Sequence, residues 1–85
     1  MALIPDYVLQ EIKDASRERI EHNLELMKSE AALNSLRDRF LFARLVQGDE
    51  DPAAGAEEDV RVYKEEWTRE LTEELDRRDL ASLGE

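Results

Sequence analysis

Apolar positions between residues 60 and 75 recur at spacings of three and four: Val60, Tyr63, Trp67, Leu71 and Leu75. At 100° per residue they share one side of a helix, and the remaining sides are almost entirely Glu, Arg, Asp and Thr. This pattern predicts an amphipathic helix with a single buried face. Asp51 followed by Pro52 reads as an N-cap with proline in the first turn. Gly55 weakens that turn by about 1 kcal/mol relative to Ala. The helix is therefore expected over about 56–81, with Glu57, Glu58 and Asp59 at the positive end of its dipole.

The preceding segment carries a different pattern. From Asp6 to Gln47 the chain has 42 residues with neither Gly nor Pro. Pro5 and Asp6 favour a helix start, and Gly48 can take the left-handed conformation that ends one. One long helix over about 5–47 is the direct expectation. It would bear two apolar stripes. Leu33, Leu36, Phe40 and Ala43 form the first, while Leu9, Ile12, Ile20, Leu24, Met27 and Ala31 form the second, which resumes at Leu41 and Leu45. Their centres lie about 150° apart on an ideal helix, too far for one neighbour to cover both.

An antiparallel hairpin turning near residues 48–56 pairs positions whose numbers sum to about 104. That sets Phe40 near Tyr63, Leu36 near Trp67, Leu33 near Leu71 and Ala43 near Val60. The first stripe and the second helix then form the intrachain core, and the second stripe is left for another chain. The expected architecture is an all-α helical hairpin with a long first helix, completed into a bundle by association. The alternative is a break near Ser29–Asn34 that folds the first helix back into a three-helix bundle. Neither Gly nor Pro supports that break, and Ser29, Asn34 and Ser35 lack a capping box. The expected domain is single, residues 1–85, with a tail at 1–4, an acidic connector at 48–56 and a second tail at 82–85.

Size reinforces the expectation of a partner. Eighty-five residues make a marginal single-chain core, usually supported by disulfides, a metal or oligomerisation. With no Cys and one His, disulfides are impossible and a zinc site is disfavoured. Charged residues are 40% of the chain and aromatics 6%, close to the composition of long helices. Net charge is −10, unevenly placed: residues 49–59 hold six acids and no base. With no basic stripe, direct binding to nucleic acid or an anionic membrane is disfavoured. The longest purely apolar run, Phe40 to Ala43, is far below the ~20 residues of a membrane span. The start lacks the features of a signal peptide, so a cytoplasmic location is expected.

Candidate chemistry is sparse. Glu11, Glu18, His22 and Glu25 share one side of the first helix, but Arg19 stands where Glu-x-x-His would need its acid. A solvated face is expected there, with no metal and no cofactor. Asn23, Ser16 and Asn34 near the second stripe would set register in a helix interface or lie at its edge, and Asp38 on that stripe calls for an Arg partner. The acids of the connector lack the alternating ligands of a calcium loop. The segment Phe40 to Val46 is apolar nearly all round, which suggests burial between the second helix and another chain. No nucleophile, triad or phosphate loop occurs, so no enzyme activity is expected. The expected role is a non-catalytic helical interaction module, a small accessory subunit or assembly factor. It would bind itself or a larger subunit through Leu9, Ile12, Ile20, Leu24, Met27, Ala31, Leu41 and Leu45. The alternative is an acidic inhibitor or antitoxin-like regulator of a basic nucleic-acid-binding protein.

Overall fold

A computed structural model describes residues 6–84, and among them it contains four α-helices and no strand. These are α1 (Asp6–Lys13), α2 (Arg17–Leu26), α3 (Glu30–Val46) and α4 (Pro52–Leu83). The all-α class is as expected, but the order of lengths is reversed. The long helix is the last one: α4 has 32 residues, about 48 Å at 1.5 Å per residue. The molecule measures 54 × 24 × 15 Å, so α4 runs most of its length and the other helices lie against it.

The continuous helix expected over about 5–47 is corrected to three segments. They are separated at Asp14–Ser16 and at Met27–Ser29. Each interruption hands over to an N-capping serine: Ser16 Oγ accepts from the Arg19 N–H and Ser29 Oγ from the Ala32 N–H, both at 3.3 Å. The second break adjoins the alternative foreseen at Ser29–Asn34, whereas the first was not foreseen. Local signals are weak at both, because Arg19 and Ala32 occupy the positions where a capping box places Glu or Gln.

The deciding contacts come from α4. Arg78 Nη2 donates to the carbonyls of Lys13 at 2.8 Å and Ala15 at 2.7 Å, supplying partners to groups that the end of α1 leaves open. Lys13 pairs with Glu70 at 3.1 Å, and Arg17 pairs with Asp79. The gain is in packing. A straight helix would hold Ile12 and Met27 about 22 Å apart. In the folded chain Ile12, Ile20 and Met27 share one buried cluster with Trp67 and Leu71 of α4, flanked by Val8, Leu9, Leu24, Leu26, Tyr63 and Leu75. Each large side chain so buried contributes about 1.5–3 kcal/mol, which offsets the few helical hydrogen bonds given up at two turns.

A second cluster lies towards the α3–α4 turn. Phe40, Ala56 and Val60 are buried there, with Leu33, Leu36, Leu41 and Tyr63 against them. Tyr63 joins the two clusters. Its ring meets Phe40 edge-on at 6.1 Å between centroids and Trp67 at 4.6 Å. Trp67 and Leu71, expected opposite Leu36 and Leu33, belong to the cluster formed with α1 and α2. Burial holds the Tyr63 phenol neutral, pushing its pKa up to about 12, with the charge of Arg39 acting in the opposite direction.

The connector is shorter than the expected 48–56, because α4 begins at Pro52. Ser82 and Leu83, expected in a tail, form the last residues of α4, and the expected tail at 1–4 lies outside the described residues.

Candidate functional site

The α3–α4 turn is built by local chemistry. Gly48 has φ of 76°, the left-handed value that closes a helix. Its N–H donates to the Leu45 carbonyl at 3.1 Å, and the Asp49 N–H donates to the Arg44 carbonyl at 3.1 Å. These two bonds make a Schellman closure. It delivers the Asp49 side chain beside the Arg44 side chain, and the two pair at 3.0 Å. Asp51 then caps α4, its carboxylate accepting from the Ala54 N–H at 3.3 Å, with Pro52 at the first helical position.

Arg44 ties the two helices together. Its Nε and Nη2 donate to the two carboxylate oxygens of Asp59 at 2.9 and 2.8 Å, a forked pair, while Nη1 serves Asp49. The hydrogen bonds it donates to Asp59, then the negative charge of that carboxylate, raise the guanidinium pKa above the ordinary arginine value. Gly55 makes room for this arrangement. A Cβ at that position would come within 2.9 Å of Arg44 Nε and 3.0 Å of Asp49 Oδ2. The glycine that weakens the helix start is therefore the position over which the arginine passes.

At the opposite end, Glu74 of α4 is only 8% exposed. Arg77 holds it at 2.6 and 2.8 Å and Arg78 at 3.2 Å. The hydrogen bonds from Arg77 do most to keep its pKa below the ordinary carboxylate value, against the opposing effect of burial, with Arg78 adding to them. The same Arg78 binds the Lys13 and Ala15 carbonyls, so Glu74 orients the side chain that stabilises the first break.

The surface that remains apolar lies on the outer side of α3. Phe42 is 69% exposed, Leu45 58% and Val46 70%. Spacings of three and four place them together on the side of α3 away from Phe40 and Leu33, and Leu41 adjoins them half-buried. Asp38 and Arg39, one turn earlier, are exposed. Neither forms an ion pair among the described residues. Elsewhere Tyr7, Val62, Leu80 and Leu83 are exposed.

The interface residues expected from the second stripe thus divide. Ile12, Ile20 and Met27 are corrected: the chain's own core covers them. Leu9 and Leu24 are half-buried against that core, Leu41 is half-buried against the other, and Ala31 and Leu45 are exposed. Of the residues expected inside the chain, Phe40, Val60, Trp67 and Leu71 are buried, while Leu33, Leu36, Ala43, Tyr63 and Leu75 are half-buried. Phe42 and Val46 are not named singly among the expected interface residues, although the segment Phe40 to Val46 that contains them is expected to meet another chain. Helical periodicity signals Phe42 directly, since it sits about 160° from Phe40.

Ser16 and Asn23 serve local roles, Ser16 as the α2 cap and Asn23 donating to the Arg19 carbonyl at 2.9 Å. Asn34 accepts from Arg37. Glu11, Glu18, His22 and Glu25 are all exposed, and no group of His, Asp and Glu suited to a metal forms among the described residues. No helix of the described residues is long and apolar enough to cross a membrane. Compared with protein-family models, curated proteins and solved structures, the chain matches none.

Proposed function

We propose that the chain is a non-catalytic helical interaction module, a small accessory or assembly subunit that binds a protein partner through the outer face of α3. The observation that carries this reading is the exposure of Phe42, Leu45 and Val46 on one side of a helix whose other side is already packed. Clustered exposed apolar side chains of this kind mark interaction surfaces on soluble proteins. The folded arm leaves this patch, rather than Ile12, Ile20 and Met27, as the surface for association. A depression on α4 is open and lined by the exposed Arg61, Lys64, Glu65, Thr68 and Arg69, which gives it little means of desolvating a catalytic group.

The test is a photo-reactive amino acid placed at position 42, and in a second protein at position 66 on the exposed side of α4. In cells that make the protein, position 42 is expected to give an adduct of defined mass that position 66 does not. Equal labelling at both positions, or none at position 42, overturns the reading.

A further inference from the structure

The charge around the patch specifies its partner more closely. We propose, resting on the interaction reading above, that the outer face of α3 receives a basic amphipathic helix, with apolar side chains entering between Phe42, Leu45 and Val46 and Lys or Arg flanking them. The apolar part follows from the three exposed side chains and their helical spacing. The basic part follows from the adjacent turn. It holds Asp49, Glu50 and Asp51, the start of α4 adds Glu57, Glu58 and Asp59, and no base lies among residues 49–59. Arg44 pairs with Asp49 and Asp59, Arg37 with Glu57, and Arg61 with Glu58.

These three arginines cancel only half of the six negative charges. Glu50 and Asp51 have no ion-pair partner among the described residues, and neither does Asp38 on the other side of the patch. Arg39, next to Asp38, is a base without an ion-pair partner among the described residues. Apolar anchors beside a surplus of negative charge suit a cationic partner, which gains both burial and attraction. A second copy suits it less, because it would bring another chain of charge −10 against the same acidic turn.

The inference is tested on the full chain with three synthetic labelled peptides. One is a Leu/Lys amphipathic helix, one replaces each Lys by Glu, and one replaces each Leu by Ala. The Leu/Lys peptide is expected to bind most tightly, and less tightly as salt rises. Phe42→Gln with Val46→Gln is expected to weaken it about tenfold, the scale of losing central anchors. Glu50→Lys is expected to weaken it as well, and Leu80→Gln with Leu83→Gln, at the far end of α4, is expected to leave it unchanged. Circular dichroism shows whether each variant keeps its helices, and these substitutions all fall on exposed side chains.

Tight binding of the Leu/Glu peptide, equal binding of the Ala/Lys peptide, or no binding at all overturns the proposal. An equal loss in the far-end variant does so too. The cross-linked adduct at position 42 separates this inference from the reading beneath it. An adduct with a second copy, or with an acidic protein, overturns the basic partner and leaves the interaction reading standing. Absence of any adduct overturns the interaction reading itself.

Discussion

Replacing Ile20 by Ala tests whether the first arm folds back within one chain. Ile20 is 0% exposed and packs in the cluster of Ile12, Met27, Trp67 and Leu71. The substitution removes three carbons from a site enclosed by α1, α2 and α4, and large-to-Ala changes in such sites cost about 2–5 kcal/mol. With an unfolding entropy near 2.1 cal/mol/K per residue, an 85-residue chain has roughly 0.18 kcal/mol/K. A loss of about 3 kcal/mol then lowers the melting temperature by about 17 °C, within an expected range of about 11–28 °C. The assay is thermal unfolding followed by helical circular dichroism across a hundredfold range of protein concentration. Leu45→Ala is the control: 58% exposed, it is expected to change stability by no more than about 0.5 kcal/mol. Burial within one chain requires the Ile20 shift to be the same at every concentration, since an interface between chains weakens on dilution. A shift that grows on dilution, or one no larger than that of Leu45→Ala, refutes the folded-back arm.

Three further outcomes are expected. Arg78→Gln removes the donor to the Lys13 and Ala15 carbonyls, so amide hydrogens of α1 should exchange faster while those of α3 keep their protection, which mass-resolved hydrogen exchange reads directly. Gly55→Ala should give little or no net gain, because the new Cβ collides with Arg44. In an Arg44→Ala background the same change should stabilise by about 1 kcal/mol, as urea unfolding of the four proteins in the cycle would show. Glu74 has a lowered carboxyl pKa through Arg77 and Arg78, so its contribution is complete above the ordinary value of 4.5 and is lost as pH falls through the lower folded-state value. The melting temperature should therefore drop below about pH 4.5, with a smaller acid-dependent drop in Glu74→Gln; identical profiles for the two proteins would refute the assignment.

Much of this architecture was legible without coordinates wherever the signal is local. Helical spacing specified the all-α class, Gly48 marked the end of α3, and Asp51-Pro52 marked the start of α4, where the cap proved stronger than the penalty at Gly55. The meeting of Phe40 with Tyr63 followed from hairpin geometry. The apolar circumference of residues 40–46 already contained the exposed patch, and its expected burial partly against another chain is consistent with Phe42 and Val46 being exposed in the single chain.

The breaks at Asp14–Ser16 and Met27–Ser29 were decided by tertiary structure. Serine caps without a capping box leave a continuous helix and a broken one close in local free energy. Contacts from 57 to 65 residues away tip the balance: Glu70 on Lys13, Asp79 on Arg17, and Arg78 on the carbonyls of Lys13 and Ala15. The role of Gly55 is of the same kind, since its value lies in the Arg44 side chain passing over it. Sequence periodicity determined which residues seek burial. Only the packing of α1 and α2 against α4 decided that Ile12, Ile20 and Met27 find it inside the chain and that the outer face of α3 does not.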